Sequence, residues 1–148
     1  MLYLASRNEH IKNKIKPAIL NRKIVICDRF IDSTLAYQVY GKGVNINLIN
    51  IIHKSILKNI KPDLTFVIRC KINKAIKRLN KRKSKNRYDK FSKKFYTNVQ
   101  KAFIKIAKKN KKRYMIIDNS NNDKTSEKII INKFLSKFKK WKLKKVKI

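Results

Sequence analysis

Three short apolar runs, separated by longer segments with helical periodicity, are the feature that most constrains the fold of this 148-residue chain. Many of their residues are β-branched, which is typical of strands that are buried on both faces of a parallel sheet. These runs cover residues 23–27, 64–68 and 114–117. The spacing of apolar residues predicts helices over residues 1–21, 30–40, 46–59, 74–80, 91–109 and 125–140.

The alternation of strands and helices predicts an α/β fold, a three-layer sandwich around a parallel sheet, because parallel strands must be joined by crossovers that pack on the sheet. The sequence contains no internal repeat and no Gly-rich or Pro-rich linker. We therefore expect residues 1–148 to form a single domain. Sheets of this kind bind ligands at the carboxyl ends of their strands, so the residues after each apolar run are the first candidates for a site.

The formal net charge of +33 raises the question of a nucleic-acid partner, since clustered Lys and Arg displace counterions from phosphates. Lysine is spread over almost the whole chain, and only residues 137–148 form a dense basic tail. A solvated helix end also explains such a tail. We do not expect nucleic acid to be the main partner, and a basic RNA-binding or DNA-binding protein stays open as the alternative.

The hydropathy pattern argues against a membrane partner. No apolar run approaches the roughly 20 residues that a membrane-crossing helix needs. The first 20 residues carry charges throughout, unlike the apolar centre of a signal peptide. We expect a soluble, cytoplasmic protein.

The first apolar run ends in Asp28 and Arg29. An apolar strand that leads into an aspartate is the Walker-B arrangement, in which the carboxylate helps to hold Mg²⁺ beside nucleotide phosphates. The neighbouring guanidinium offers a planar fork for bidentate phosphate binding. An aspartate after a strand also commonly caps the next helix, so this pattern alone leaves both interpretations open.

The surrounding residues carry a more specific signal. Residues 28–38 read D-R-F-I-D-S-T-L-A-Y-Q, and residues 40–43 read Y-G-K-G. This block resembles the signature of the thymidylate kinase family, D-R-[aromatic or His]-x-x-S-[ST]-x-A-Y-Q followed by Y-G-[RK]-G. Further elements resemble the family in the same order: Y-L-A-S-R at 3–7, I-K-P-A at 15–18, P-D-L-T-F at 62–66, N-R-Y-D at 86–89, F-Y at 95–96 and Y-M-I-I-D-N-S at 114–120.

The resemblance implies an enzyme of the P-loop nucleoside monophosphate kinase type that transfers the γ-phosphoryl group of ATP to dTMP, giving dTDP. It implies ATP and Mg²⁺ as cofactors and a homodimeric assembly. On the matching positions it implies that the residues that bind dTMP are Tyr3, Arg7, Arg29, Ser33, Thr34, Tyr37 and Gln38.

These residues have distinct implied roles. Tyr3 stacks on the thymine, and it shares a helix face with Arg7, four residues later. Arg7 and Arg29 contact the base and the phosphate. Thr34 and Gln38 read the polar edge of the base. Tyr37 lies against the sugar, where it disfavours a ribose 2′-hydroxyl; for these helix residues, ordinary packing or surface roles are the competing interpretation.

The remaining implied residues serve ATP and catalysis. Residues 81–90 would form the lid, in which Arg82 and Arg87 supply positive charge to the moving phosphoryl group beside Arg29. Asp28 would hold Mg²⁺. Asn119 and Ser120 would lie near the adenine.

Some positions depart from the family pattern. Arg69, Lys71 and Ile72 stand where acidic residues and a proline are usual, and Gln100 stands where an arginine is common. These departures put the end of the second apolar run in doubt as a match. His10 and His53 have no partner that the sequence identifies, and we interpret both as surface residues.

The sequence has no phosphate-binding loop of the form G-x-x-x-x-G-K-[ST], because Gly41 and Gly43 are its only glycines. The resemblance implies that the first strand, this loop and its helix are missing, a unit of roughly 30 residues. We therefore expect an N-terminally truncated kinase with an open sheet edge, either a fragment or an inactive remnant.

We predict that the 148-residue chain alone does not turn over ATP and dTMP, because nothing in its sequence can cradle the β- and γ-phosphates. A coupled assay for ADP release, with dTMP present and absent, measures this. Steady dTMP-dependent ADP release by the purified chain would contradict the prediction.

Overall fold

The computed structural model describes residues 2–82, 91–121 and 123–145. Its sheet has two parallel strands, β1 (Thr65–Arg69) and β2 (Tyr114–Asp118). They pair in register from Thr65 opposite Tyr114 to Arg69 opposite Asp118. The predicted runs at 64–68 and 114–117 are thus confirmed as parallel strands, with shifts of no more than one residue at their ends.

Helices make up most of the rest of the described chain. Their bounds are Leu2–His10 (α1), Lys16–Leu20 (α2), Ile31–Thr34 (α3), Ile46–Leu57 (α4), Ile72–Asn80 (α5), Lys93–Lys108 (α6) and Thr125–Lys145 (α7). The side chains of Asn45 and Ser92 cap α4 and α6 by accepting hydrogen bonds from backbone N–H groups of the first turn. Every predicted helix has an observed counterpart. No helix of the described residues has the length and apolar character needed to cross a membrane.

The prediction of a strand at residues 23–27 is wrong. This segment has no strand pairing with any other part of the described chain. Its apolar side chains are exposed: Ile24 by 49%, Val25 by 36% and Ile26 by 88%. A strand needs a neighbour for its backbone hydrogen bonds, and β-branched composition alone does not supply one.

The predicted first helix is helical throughout, but a π-helical segment, Ile11–Ile15, separates α1 from α2. Pro17 lies two residues after the end of this segment, in the first turn of α2. Proline has no N–H to donate to the preceding turn, and its ring crowds the carbonyl four residues back. The wider π turn accommodates this change, so a π-helix interrupts the α-helical run ahead of Pro17.

A second π-helix, Leu35–Gly41, continues α3 and packs on α6. Its Ala36 is fully buried and forms one core cluster with Phe95, Val99 and Ala102 of α6. A second cluster joins Ile11, Ile15 and Leu57, and Phe30 and Ile31 pack against it. The stretch 30–41 therefore bridges two cores.

Two predicted segments lie partly outside the described residues. Of the expected lid at 81–90, the structure describes only the two residues that follow α5. The first part of the basic tail continues the backbone of α7 as far as Lys145. The division into lid and tail remains a prediction.

We predict that Gly41→Ala destabilises the fold, because an added Cβ would lie 2.8 Å from a ring carbon of Phe95 and 3.1 Å from a methyl of Val99. Overpacking of this kind costs about 1–3 kcal/mol of unfolding free energy. Urea unfolding followed by circular dichroism measures it.

The control is the same substitution in a Phe95→Leu background. Without the ring, the added methyl should reduce the unfolding free energy by less, so the effects of the two changes should be non-additive. An equal cost of Gly41→Ala in both backgrounds would show that the ring contact is not the cause.

Candidate functional site

A cavity of about 320 Å³ lies between α1 and the stretch that begins at Arg29. This volume falls at the lower end of the range typical of small-molecule sites. The residues that line it are Tyr3, Ser6, Arg7, His10, Arg29, Phe30, Ser33, Thr34, Tyr37 and Gln38. All seven residues that the resemblance implies for substrate binding are among them.

Helix α1 contributes one polar and aromatic face. Counted from Tyr3, the cavity residues of this helix follow at three, four and seven positions: Ser6, Arg7 and His10. Successive turns of the helix therefore bring them to the same side. Leu4 is buried and holds the other side of the helix in the core. His10 is exposed, as expected, but it lines the cavity, which its sequence context did not indicate.

Arg7 joins the two walls of the cavity. Its guanidinium donates a hydrogen bond to the hydroxyl of Thr34, and it lies 5.7 Å from the centre of the Phe30 ring. Partial burial lowers the pKa of Arg7, while Cys27 and Asp32 act in the opposite direction. The side chain is thus held in place by an aromatic face and a hydroxyl.

Arg29 enters from the other wall. Its φ of +61° is in the left-handed region, which a non-glycine residue seldom adopts and which is enriched at functional sites. Its guanidinium lies 5.2 Å from the centre of the Tyr37 ring. Both arginines therefore line the same cavity, each over an aromatic ring.

The composition of the cavity restricts its ligand. Two guanidinium groups face it, and none of the described residues that line it is a carboxylate. Aromatic rings offer stacking surfaces, while hydroxyl groups and the amide of Gln38 offer hydrogen bonds. A planar, polar molecule with an anionic group matches this combination.

The predicted metal ligand, Asp28, is exposed and does not line the cavity. Among the residues that the structure describes, no three His, Cys, Asp or Glu side chains are grouped to hold a metal ion. Mg²⁺ commonly binds one or two carboxylates together with substrate phosphates and water. An exposed carboxylate beside Arg29 fits that mode of binding and not an all-protein metal cage.

The predicted adenine residues lie at the carboxyl end of the sheet, beyond β2. Ser120 is buried, and its hydroxyl accepts a hydrogen bond from the backbone N–H of Lys71 at 3.0 Å. The guanidinium of Arg78 donates to the backbone carbonyls of Asn119 and Ser120 at 3.2 and 3.3 Å. The turn at 119–120 is therefore fixed by α5 and by the segment after β1, where ligands of parallel sheets bind.

The departures from the family pattern have local partners. Arg69 forms an ion pair with Asp118 at 3.1 Å, at the ends of the two strands. The hydroxyl and backbone N–H of Ser120 lower the pKa of Asp118, with a smaller effect from Arg69. The amide of Gln100 donates to the carbonyl of Cys70 at 2.7 Å. The strand end that the sequence puts in doubt is thus tied to β2 and α6.

Of the two predicted lid arginines, the structure describes Arg82, which does not line the cavity. Arg82, the second residue after α5, is exposed, and its backbone N–H donates to the carbonyl of Leu79 at 3.1 Å. Arg87 lies outside the described residues. Their roles remain predictions.

Behind the cavity the structure groups residues that sequence reasoning missed. The buried carboxylate of Asp32 accepts hydrogen bonds from Arg113 at 2.8 Å and from the hydroxyl of Tyr114 at 2.6 Å. These partners are more than 80 positions away, so no local pattern relates them. The sequence gives one signal for Asp32: it is an acidic residue in an amphipathic segment of a chain that has only 8 acidic residues.

The interpretation of His53 as a surface residue is wrong. It is only 7% exposed, on the inner face of α4, and within the described residues its Nε2 has no hydrogen-bond partner. Burial lowers the pKa of His53, and the positive charge of Arg7 lowers it further, against an opposite effect of Asp32. A neutral imidazole is therefore favoured behind the cavity.

Comparison with known proteins agrees with this geometry. The sequence model of the family described as thymidylate kinase matches residues 1–130. The chain belongs to the thymidylate kinase family. The match confirms the resemblance given by the motifs and extends it ten residues beyond the last of them. It does not favour the alternative of a nucleic-acid-binding protein.

Individual members of the family are similar over most of this chain. It is 46% identical over 118 residues to a thymidylate kinase from Wolbachia pipientis wMel, covering 79% of this chain and 58% of the relative. It is 40% identical over 120 residues to one from Mycoplasma capricolum, covering 80% and 56%. The chain thus spans little more than half the length of these relatives.

A solved structure shows the same relationship. The crystal structure of thymidylate kinase from Ehrlichia chaffeensis superimposes with a TM-score of 0.60 at 35% identity, covering 80% of this chain and 52% of that one. This similarity confirms the predicted α/β fold of the nucleoside monophosphate kinase type.

We predict that the buried imidazole makes stability depend on pH. The unfolded chain binds a proton at His53 near the usual pKa of 6.5, whereas the folded protein binds it only at lower pH. Stability from this residue is therefore intact above pH 6.5 and is lost as the pH falls, by up to about 1.4 kcal/mol per pH unit.

Urea unfolding of the wild type and of His53→Gln at pH 7.5 and 5.5 measures this loss. The wild type should lose more stability than the variant over this interval. His10→Gln, the same change at the exposed histidine, should keep the wild-type difference. Equal losses in the wild type and His53→Gln would rule out the buried imidazole as the cause.

Proposed function

We propose that this chain carries the thymidine monophosphate site of a kinase that transfers the γ-phosphoryl group of ATP to dTMP. The observation that supports the proposal is the cavity in which Tyr3, Arg7, Arg29, Tyr37 and Gln38 meet. Family membership supports the type of reaction.

The base is bound by the aromatic and polar walls. Tyr3 stacks on the thymine ring, and Gln38, with both a donor and an acceptor, pairs with its polar edge. Thr34 lies beside them with its hydroxyl already accepting from Arg7. Tyr37 lies against the sugar and excludes a 2′-hydroxyl.

The monophosphate is bound by the arginines. A guanidinium can bind two oxygens of a phosphate in parallel, which gives both charge neutralisation and orientation. Arg29 lies next to Asp28 in the sequence, so the phosphate and a Mg²⁺ ion held by that carboxylate would be neighbours. With ATP and Mg²⁺ bound, the metal neutralises charge on the phosphates during transfer. This chain's own residues orient the acceptor phosphate.

The adenine of ATP is bound by the turn at Asn119 and Ser120. The side chain of Ser120 and the carbonyls of both residues already have hydrogen-bond partners. The adenine would therefore be bound through the shape of the backbone at this turn. Arg82 and Arg87 would approach the phosphates from the lid. We further propose that the kinase works in the cytoplasm as a homodimer.

Isothermal titration of the purified chain with dTMP tests the proposal without requiring turnover. We expect binding of dTMP that is at least ten times tighter than binding of dCMP, because a site built to pair with one base edge rejects another donor and acceptor pattern. Steeply salt-dependent binding of RNA with no affinity for dTMP would overturn it.

We predict that Arg29→Gln weakens dTMP binding about 10-fold to 100-fold, equivalent to about 1.4–2.8 kcal/mol, and changes thymidine binding by less than threefold. The difference arises because only dTMP carries the phosphate dianion. Titration with both ligands measures it.

Arg22→Gln is the matched control. Arg22 is also an exposed arginine with a left-handed backbone, at φ +55°, but it does not line the cavity. The Arg22→Gln variant should bind dTMP and thymidine as tightly as the wild type does. Equal loss of dTMP binding in the two variants would trace the effect to general charge and not to the site.

A further inference from the structure

We propose that Asp32 is a positioning residue for the nucleotide cavity, acting through Thr34 and Arg7. It does not line the cavity. Its carboxylate connects the helix turn that carries Ser33 and Thr34 to the beginning of β2. The proposal deepens the proposed function and rests on it for its effect on dTMP.

The anchor at β2 is held rigidly. The guanidinium of Arg113 also donates to the hydroxyl of Thr65 at the start of β1, at 3.3 Å, and lies 4.5 Å from the centre of the Tyr114 ring. The backbone N–H of Arg113 donates to the side chain of Asn110 at 3.1 Å. Both donors to Asp32 are thereby fixed by the two strands and the preceding turn.

The carboxylate is well placed to transmit this rigidity. The side chain of Asp32 is 9% exposed, and that of Arg113 is 18% exposed, so water screens their ion pair little. Burial and the hydrogen bond from its hydroxyl to Asp32 both raise the pKa of Tyr114, so the phenol remains a donor. The carboxylate of Asp32 is therefore held by two charge-assisted hydrogen bonds, one from Arg113 and one from Tyr114.

The path from the anchor to the cavity is short. Helix α3 has only one turn, and Asp32 and Thr34 are both buried within it. Thr34 accepts the hydrogen bond of Arg7, so displacement of α3 would move Thr34 and release Arg7. An error of about 1 Å in the position of a binding group can cost two orders of magnitude in a catalysed rate.

Packing alone does not fix this turn. The apolar contacts of the stretch lie on either side of it, with Phe30 and Ile31 against one cluster and Ala36 within the other. Between them, Asp32 and Thr34 are the buried residues, and both are polar. Directional bonds are therefore what selects the rotation of α3.

Asp32→Asn and Tyr114→Phe test the inference. Both keep the size of the side chain, and each removes part of the anchor: the charge of the carboxylate or the phenolic donor. We expect Asp32→Asn to weaken dTMP binding about 10-fold to 100-fold and Tyr114→Phe by a smaller factor. In a Thr34→Val background, Asp32→Asn should add less than threefold, because the path is already broken.

A merely structural role has a different signature. It would lower the thermal midpoint and leave the dTMP affinity of the folded protein unchanged, which would overturn the inference. Asp63→Asn, the same change at an exposed aspartate, should alter neither quantity. If Asp32→Asn does not fold, Tyr114→Phe decides, because it retains the ion pair with Arg113; an unchanged affinity in that variant overturns the inference.

A second readout does not depend on dTMP. The ¹⁵N–¹H signal of the Arg7 guanidinium reports its bond to Thr34 in the nucleotide-free protein. Asp32→Asn should shift this signal in the same direction as Thr34→Val, and an unchanged signal would overturn the inference. Failure of the wild type to bind dTMP would overturn the proposed function alone, because the Arg7 signal would still decide the role of Asp32.

Discussion

The close approach of the π-helix Leu35–Gly41 to α6 is the contact on which the site depends. It requires small residues in the π-helix: Ala36 has no exposed surface, and Gly41 lies against the ring of Phe95. A π-helix turns more widely than an α-helix, and it often occurs at functional sites. Tyr37, whose ring centre lies 6.1 Å from those of Phe95 and Phe103, lines the cavity together with Gln38.

The electrostatics of the site differ from those of the chain as a whole. A net charge of +33 leaves each acidic residue among many basic ones, yet Asp32 is buried behind the two cavity arginines with dedicated donors. Together with Cys27, it opposes the lowering that burial causes in the pKa of Arg7. His53, buried nearby, is favoured in its neutral form. Behind the two cavity arginines, the charge of Arg113 is thus paired with Asp32, and the imidazole of His53 is favoured as neutral.

How much of this could be predicted from the sequence depends on the range of the interaction. The paired strands and the order of the helices follow from local periodicity, and seven of the cavity residues follow from two short motifs, residues 3–7 and 28–38. The burial of His53 and the anchor of Asp32 could not be predicted, because they depend on contacts with distant parts of the chain. Residues 23–27 failed for the same reason: their composition is that of a strand, but pairing is a property of two segments.

That unpaired segment has a consequence for the protein in solution. Ile24, Val25 and Ile26 present side chains and backbone groups that another extended chain could pair with, and such edges promote association between molecules. The large positive charge opposes this association by mutual repulsion. Dissolved salt shortens the reach of that repulsion to about 8 Å at physiological ionic strength. The solubility of the protein should therefore depend on ionic strength. At low ionic strength, charge repulsion keeps the molecules apart, and at high ionic strength the exposed segments of two molecules can associate.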